Sequence, residues 1–360
     1  MMKRKEIGSE YWEADSVTEP VSRTESEFAA RKTYLSGRTA LAAIISDLQR
    51  RHIKSVCIPD YCCESMIEPF LRQGMDLTFY PVNKNDEGLT ISVEEAFDSD
   101  AVLLVDYFGF MSSEIRAAIQ KCHEAGKVII LDNTHAVLSD AKGLSVDYIF
   151  GSYRKWTGIE AGFVEICHQG VLPTWQLNEQ GSRYLMLRKE ARKVKSLFVE
   201  DGYSNEELRK EQLSLFEKAE ELLDREYISD TDKENKARLG LMNARFIKDR
   251  RQKNAGIIYT NFPQLKICKP LFSEMSDEVV PLTVPIMVPE NRRDSLRNYL
   301  RKRGVFCPVH WPVSNMHRVG NKAIQIYREE LSLVCDQRYD GSDMTRMMEM
   351  VKQWELSTSE

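Results

Sequence analysis

The chain has 360 residues, of which 42% are hydrophobic and 29% charged, and its formal net charge is −5. These values are ordinary for a globular protein and leave room for one large domain and a smaller one. Acidic and basic residues are interspersed and no apolar run approaches the roughly 18–20 residues of a membrane span, so neither nucleic acid nor a membrane is expected as a partner.

The N-terminal segment and the cysteines bear on where the protein works. Residues 1–25 are mostly polar with two isolated aromatic residues, Tyr11 and Trp12, so we expect an arm that docks through these rings. Their basic start is not followed by the apolar stretch of a secretory signal. The eight cysteines show no C-x-x-C pair and no Cys/His ligand spacing. This pattern predicts a cytoplasmic protein with reduced thiols, no disulfide and no metal site.

Apolar runs and amphipathic stretches alternate through the first half of the chain. In order, we predict a helix opening at 36–40, a strand at 55–59, a helix at 64–72, strands at 77–82 and 101–105, a helix at 113–124 with Gly126 as its C-cap, and strands at 128–132 and 146–150. Strands that alternate with helices in this way indicate βαβ units and a mostly parallel sheet.

The chain changes character after residue 166. Between about 182 and 254 it is charged and helical in pattern, with breaks expected near 201–202 and 229–230. Beyond that region we predict, in order, a strand within 279–289, a helix at 292–303, a strand at 305–309, and helices at 323–330 and 342–354. We therefore expect an arm over residues 1–25, a large domain with a helical extension over 26–255, and a small α+β domain over 256–360.

Small and hydroxyl-bearing residues open the first predicted helix, where Ser36 precedes Gly37, Arg38 and Thr39. Backbone N–H groups at a helix start are free to hold a phosphate, and the helix dipole favours the anion. Gly37, Arg38 and Thr39 are therefore candidate phosphate ligands. Taken alone, the same residues also suit an ordinary helix start.

Two later strands end in residues that suit pyridoxal phosphate (PLP). Asp132 follows four aliphatic residues and would lie at the carboxyl end of a buried strand, where open α/β sheets place ligands. The next strand leads into Ser152 and Lys155. Lys155 follows an apolar strand beside Arg154 and would form a Schiff base with the cofactor. Asp132 would pair with the protonated ring nitrogen, and Ser152 would help to hold the phosphate.

The cofactor ring also needs a flat or polar neighbour. His135, three residues past Asp132, is one candidate, and Tyr61, at the turn after the strand at 55–59, is the other. Each has an ordinary alternative, His135 as a hydrogen-bonded structural histidine and Tyr61 as a core aromatic residue. The sequence leaves the choice between them open.

Together these pieces resemble the fold-type-I PLP enzymes and, more narrowly, the DegT/DnrJ/EryC1/StrS sugar aminotransferases. The resemblance covers roughly residues 8–354 and rests on Gly162 and on the segments 36–41, 131–136, 152–156 and 331–339. The chain departs from common members in having two residues instead of four between the serine and the lysine, and Trp156 in place of an asparagine.

The resemblance implies an aspartate-aminotransferase-like fold, with a three-layer α/β/α large domain of mostly parallel sheet and a smaller C-terminal α+β domain. It implies a cytosolic homodimer with active sites at the subunit interface. It also implies transfer of an amino group from glutamate or glutamine to a keto sugar carried on a nucleotide, in polysaccharide biosynthesis. The residues that it assigns to PLP are Lys155, Asp132, His135, Thr39 and Ser152.

Four further residues are candidates for binding the substrate. Tyr107 ends a sheet strand near the expected site, and His310 and Trp311 end a strand of the small domain, where a ring pair suits a sugar or a base. Arg338 carries a planar fork that binds carboxylate or phosphate. Packing or a surface ion pair is the alternative role of each.

Other functions share parts of this pattern. A PLP enzyme acting on an amino acid needs an arginine, such as Arg338, that faces the cofactor. A sugar dehydratase of the resembled family carries histidine at the position of Lys155, and a nicotinamide-dependent dehydrogenase carries a G-x-G-x-x-G motif that is absent after the first strand. A catalytically silent relative would keep the fold without binding a cofactor.

Overall fold

The computed structural model describes residues 6–12, 30–139 and 143–358. The predicted arm is therefore described only over 6–12, and the rest of it lies outside the described residues. Within the described ranges the chain forms twelve strands and ten α-helices, with four short 3-10 helices between them. No helix in these ranges combines the length and the apolar composition that crossing a bilayer requires.

The bounds of the strands and helices follow the chain in order. The strands are β1 (Lys32–Tyr34), β2 (Ser55–Pro59), β3 (Asp76–Tyr80), β4 (Val82–Lys84), β5 (Leu89–Ile91), β6 (Ala101–Val105), β7 (Val128–Asp132), β8 (Tyr148–Ser152), β9 (Gly162–Ile166), β10 (Lys269–Pro270), β11 (Thr283–Met287) and β12 (Glu330–Val334). The helices are α1 (Gly37–Arg50), α2 (Glu64–Arg72), α3 (Ser113–Glu124), α4 (Glu179–Glu200), α5 (Glu206–Arg225), α6 (Lys233–Gly240), α7 (Ala244–Asn261), α8 (Glu290–Arg301), α9 (Asn321–Glu329) and α10 (Gly341–Thr358).

Seven strands form the main sheet, in the order β1-β9-β8-β7-β6-β2-β3. The strands β3, β2, β6, β7 and β8 are parallel, and β9 is antiparallel to both of its neighbours. Every residue of β6 is buried, so the centre of the sheet is covered on both faces. This burial explains why its sequence is a continuous apolar run rather than an alternating one. The predicted α/β fold with a mostly parallel sheet is confirmed.

Most predicted elements of the first half lie where the sequence places them. The helices predicted at 64–72 and 113–124 have those bounds as α2 and α3, whereas β8 begins and ends two residues later than predicted and includes Ser152. The long helical region divides at both predicted places and again before α7. There Asn243 caps α7, because its side chain accepts the N–H of Phe246 at 2.9 Å.

A second, antiparallel sheet of β10, β11 and β12 carries a core of its own, formed with α7, α8 and α10. All residues of β11 and β12 are buried. Helix α7 passes from one core to the other: Ile247 packs in the core of the main sheet, and Ala255 and Ile258 pack in the second core.

The predicted strand at 305–309 is wrong. Val305 makes only an isolated bridge with Ile7 of the arm. Pro308 lacks the N–H that a ladder needs, and the N–H of His310 donates to the side chain of Glu330 at 2.7 Å instead of to a backbone carbonyl. The segment therefore runs beside β12 without joining its sheet.

The described part of the arm docks against the second core. The N–H of Gly8 donates to the hydroxyl of Tyr339 at 2.9 Å. Tyr11 and Trp12 are each 9% exposed, and the guanidinium of Arg338 lies 4.0 Å from the centre of the Tyr11 ring. The two aromatic side chains therefore pack against the protein, as the sequence predicts.

Candidate active site

The carboxyl ends of β7 and β8 bring the central predicted residues to one edge of the main sheet. The strands are parallel neighbours, and Asp132 pairs with Phe150 in their register. Ser152 ends β8, and Lys155 ends the 3-10 turn that follows. Asp132, Ser152 and Lys155 line one small cavity of about 80 Å³, at the edge where open α/β sheets bind ligands.

Asp132 is a buried carboxylate whose surroundings disfavour its charge. The residue is 7% exposed, and its Oδ1 accepts the N–H of Thr134 at 2.7 Å. Burial raises the pKa of Asp132, and the hydrogen bonds from Thr134 and the charge of Lys155 counter only part of that increase. A cation placed against this carboxylate, such as a protonated ring nitrogen, would stabilise its ionised form.

His135 lies beside Lys155, with Nε2 3.4 Å from Nζ. The backbone N–H of Phe108 donates to Nδ1 at 3.4 Å, which assigns the proton of the neutral ring to Nε2. Burial lowers the pKa of His135 well below its usual value, and the neighbouring Lys155 and His310 lower it further. The imidazole is therefore neutral, and its Nε2 faces the nitrogen of Lys155.

The N-terminus of α1 forms another wall of the small cavity. Ser36 caps the helix, and Gly37 and Arg38, its first two residues, line the cavity together with Ser152. N–H groups in the first turn have no partner within the helix, so they are suited to an anion. Three of the four predicted phosphate ligands are thus brought together.

Thr39, the fourth predicted phosphate ligand, lies behind this wall. It is fully buried, and its hydroxyl donates to the carbonyl of Tyr227 at 2.6 Å and lies 2.9 Å from Oγ of Ser36. Its hydroxyl is therefore held among protein groups, where it supports the cap of α1.

Two glycines allow the helix start to press against the strand ends. Gly162 pairs with Tyr34 in β1 and with Ser152 in β8. A Cβ at Gly162 would lie 2.0 Å from the carbonyl oxygen of Ser36, and a Cβ at Gly37 would lie 3.2 Å from Cβ of Ser152. A side chain at Gly162 would push α1 away from the lysine and the acid.

Lys155 separates the small cavity from a larger one of about 370 Å³. Lys155 and Arg154 line both cavities. The larger cavity is bounded by the arm, by α4 and α5, and by the second sheet. Its ionised side chains are mostly cationic: Arg154, Lys155, Arg188, Arg251 and Arg338 against Glu10, Glu220 and Asp336.

Tyr61 and Tyr107 lie in the aromatic layer behind the site. The hydroxyl of Tyr107 donates to the carbonyl of Tyr61 at 2.6 Å, and the hydroxyl of Tyr61 donates to the carbonyl of His310. Both rings are buried, and neither ring lines the small cavity or the larger one. Of the two residues considered for the cofactor ring, His135 is the one that contacts Lys155.

The remaining substrate candidates differ in what they face. His310 lines the larger cavity, and its Nδ1 is 2.9 Å from Oγ of Ser332. Trp311 stacks on His135 with ring centres 5.4 Å apart. Arg338 also lines the larger cavity, but its guanidinium pairs with Asp336 at 2.8 Å and donates to two carbonyls of the arm.

A buried charged cluster around Glu160, five residues after Lys155, was missed by the sequence reasoning. Glu160 is fully buried, and its carboxylate accepts hydrogen bonds from Arg188 at 2.7 Å, Arg192 at 2.6 Å and Tyr184 at 2.7 Å. Burial raises the pKa of Glu160, but Arg188, Arg192 and Arg154 outweigh that effect and lower it to about 2. The available sequence signal was an acid within an otherwise apolar stretch.

Comparison with known proteins identifies the fold. No protein-family model matches the sequence, and no curated protein matches it at a significant level. Among solved structures, PseC from Helicobacter pylori, an aminotransferase involved in the biosynthesis of pseudoaminic acid, is 16% identical with a TM-score of 0.66, and the match covers 98% of this chain and 100% of PseC.

Two further structures agree. The sugar aminotransferase CalS13 from Micromonospora echinospora is 13% identical with a TM-score of 0.57, over 90% of this chain and 87% of CalS13. The PLP form of Spr1654 from Streptococcus pneumoniae is 16% identical with a TM-score of 0.62, over 94% and 92% of the two chains. The chain therefore has the fold of these proteins.

Proposed function

We propose that this chain is a PLP-dependent aminotransferase of the DegT/DnrJ/EryC1/StrS family. It would move an amino group from glutamate or glutamine to a keto sugar, carried on a nucleotide, in polysaccharide biosynthesis. The observation that carries the proposal is the position of Lys155, which stands between two cavities with Asp132 in one wall and His135 in contact. The fold shared with PseC, CalS13 and the PLP form of Spr1654 supports it.

The residues around the small cavity fit PLP. Asp132 offers a buried carboxylate for a protonated ring nitrogen, and the N–H groups of Gly37 and Arg38 with the hydroxyl of Ser152 offer donors for a phosphate. The close approach at Gly37 and Gly162 keeps these donors within one cradle. In this arrangement Thr39 supports the phosphate cradle by holding Ser36, the cap of α1.

When bound, PLP supplies an electron sink for the carbon that exchanges its amino group. Asp132 would hold a proton on the ring nitrogen. Lys155 would attach the cofactor, and its amine would move a proton at the carbon that exchanges the amino group. His135 would orient Lys155 through its Nε2, and Trp311, which stacks on His135, would hold the imidazole in place.

The larger cavity is the proposed place of the substrate. His310 lines it directly, and Trp311, Tyr61 and Tyr107 would act by fixing His310 and His135. The guanidinium of Arg338 is held by Asp336 and the arm, so its geometry supports a role in docking the arm. It gives no support to the alternative in which Arg338 faces the cofactor and binds an amino-acid substrate.

The domain division and the assembly belong to the same proposal. The two separate hydrophobic cores support a large domain over 26–255 and a small domain over 256–360, with α7 crossing between them. We further propose a cytoplasmic homodimer, in line with the resembled family.

An absorbance spectrum tests the function. We expect the purified protein, supplied with PLP, to show a near-visible band that shifts when glutamate is added. Lys155→Ala removes the nitrogen that attaches the cofactor and should abolish the band. Lys121→Ala, which changes an exposed lysine on α3, should leave it intact.

Each other outcome contradicts a defined part of the proposal. A protein without the band, even with PLP supplied, would be a silent relative of the fold. A band that persists in Lys155→Ala would reject Lys155 as the attachment point, and a band indifferent to glutamate and glutamine would reject these donors.

A further inference from the structure

Two arginines of the larger cavity share one carboxylate. Arg154 contacts Oε1 of Glu220, and Nη1 of Arg188 lies 3.4 Å from the same oxygen. All three side chains line the cavity together with Lys155. Because Arg188 belongs to α4 and Glu220 to α5, this helical pair brings a base and an acid to the side of the cavity next to the lysine.

The three side chains differ in exposure. The side chain of Arg188 is 5% exposed and that of Arg154 is 26% exposed, whereas that of Glu220 is 42% exposed. Arg188 is also held by the buried Glu160 at 2.7 Å. Glu220 is therefore the member that can turn toward solvent, at little cost because a partly exposed ion pair contributes little, while Arg188 stays in place.

The other arginines of the cavity wall are engaged within the fold. Arg251 donates to the carbonyl of Leu282 at 2.7 Å and lies over the ring of Trp156. Arg338 pairs with the buried Asp336. Arg188 also lies 3.4 Å from the carboxylate of Glu10 in the arm, whose side chain is 48% exposed. An anion that enters the cavity therefore meets Arg154 and Arg188 as the arginines whose acidic partners in the cavity wall are partly exposed.

We infer that Arg154 and Arg188 form a carboxylate-binding subsite, and that Glu220 occupies it until substrate arrives. The carboxylate of the substrate replaces that of Glu220 and takes charge-assisted hydrogen bonds from the two guanidinium groups. No covalent bond forms or breaks in this exchange. The inference rests on the proposed function for the identity of the substrate, whose carboxylate belongs either to the amino donor or to the sugar.

Calorimetric binding to the full chain tests the subsite with two unreactive probes. Glutarate is the donor without its amino group, and glucuronate is a sugar that carries a carboxylate. Glu220→Gln removes the competing charge and should tighten binding of at least one probe by about threefold or more. Glu217→Gln, an exposed position on the same helix, should not change it. Arg154→Gln should weaken binding by about tenfold, the effect of one lost charged hydrogen bond.

The two probes distinguish the source of the carboxylate. A tightening confined to glutarate assigns the subsite to the amino donor, and one confined to glucuronate assigns it to the sugar. Glucose, which has no carboxylate, should respond to none of the variants. Glu220→Ala repeats the test with a smaller side chain, so the test does not depend on Arg154→Gln folding.

Three results would overturn the inference: no binding of either probe, unchanged or weaker binding in Glu220→Gln, or unchanged binding in Arg154→Gln. The calorimetric readout does not depend on cofactor absorbance. Failure of the proposed function, seen as a missing near-visible band, is therefore distinguishable from failure of the subsite, seen as probe affinities that ignore Glu220 and Arg154.

Discussion

Asp132 and Glu160 are both buried carboxylates, yet their pKa values are shifted in opposite directions. Burial raises the pKa of Asp132, and hydrogen bonds from Thr134 and one neighbouring cation do not restore it. Burial acts in the same sense on Glu160, but the surrounding arginines bring its pKa down to about 2. Burial thus sets a cost for both acids, and the number of fixed cations decides which of them remains ionised.

This difference in pKa distinguishes a structural ion-pair cluster, at Glu160, from a candidate ligand site, at Asp132. Glu160 is already neutralised by protein groups, so it stabilises the fold and holds Arg188 in position. Asp132 lacks a comparable set of cations among its described neighbours, so a cationic ligand would find a partner in it. A buried acid with a raised pKa next to a lysine is therefore a better indicator of a ligand site than a buried acid in an ion-pair cluster.

The largest effect expected is on stability, from Glu160→Gln. This change leaves Arg188 and Arg192 buried without their carboxylate and should lower the free energy of unfolding by about 3–5 kcal/mol. Asp132→Asn removes a charge that burial already disfavours and should cost less than about 1 kcal/mol or stabilise the protein. Urea denaturation of the two variants at neutral pH measures both values, and similar losses would contradict the comparison.

The free energy of unfolding at acid pH gives a separate test of the role of Glu160. Its folded pKa of about 2 lies below the unfolded value of 4.5, so its contribution is present above pH 4.5 and is lost as the pH falls toward 2. The profile of Glu160→Gln should lack this part of the decline.

Asp106 is a third buried acid, and its raised pKa affects stability at higher pH than the lowered pKa of Glu160 does. It follows β6, its N–H donates to the carbonyl of Asp132 at 3.0 Å, and burial raises its pKa to about 7, with the charge of Arg116 opposing the change. The folded pKa exceeds the unfolded value of 3.8, so its contribution is present below pH 3.8 and is lost as the pH rises through 7. Asp106→Asn should therefore gain about 2–3 kcal/mol over the unmodified protein between pH 5 and pH 8.

Unfolding by urea at the two pH values measures this gain. Asp98→Asn, at an exposed position close in sequence, should show no such difference. An Asp106→Asn profile parallel to that of the unmodified protein would mean that Asp106 titrates normally.

The smallest expected effect comes from the hydroxyl of Thr134, which hydrogen-bonds Asp132 and favours its ionised form. Thr134→Val removes this bond and should weaken the binding of PLP by about fivefold to tenfold. Thr134→Ser keeps the hydroxyl and should bind PLP nearly as well as the unmodified protein. Equilibrium dialysis measures the affinities, and equal losses in the two variants would point to packing instead of the hydroxyl.

The neighbourhood of Asp132, Ser152 and Lys155 could be predicted because each follows a short apolar run. Parallel strands end at a common edge, so the order of elements along the chain is enough to bring such residues together. The same reasoning gave the bounds of α2 and α3, whose apolar spacing is local information.

Residues that depend on distant partners could not be predicted. Arg188 and Glu220 lie in a helical region that has the pattern of a solvated charged surface, and Arg154, the other arginine that contacts Glu220, is far away in sequence. The segment at 305–309 has the composition of a strand, but Pro308 and the side chain of Glu330 replace the ladder that composition alone suggests.

The hydroxyl of Tyr107 donates to the backbone carbonyl of Tyr61, and the hydroxyl of Tyr61 donates to the carbonyl of His310. The length of the Tyr61 side chain thereby sets the spacing between the end of β2 and the loop that carries His310, and Tyr107 holds the backbone of Tyr61. Redesign of substrate preference at the cavity walls should therefore succeed more readily than exchange of either tyrosine, although neither tyrosine borders the two cavities. The two tyrosines hold the loop in position, and the residues of the cavity walls can be changed around it.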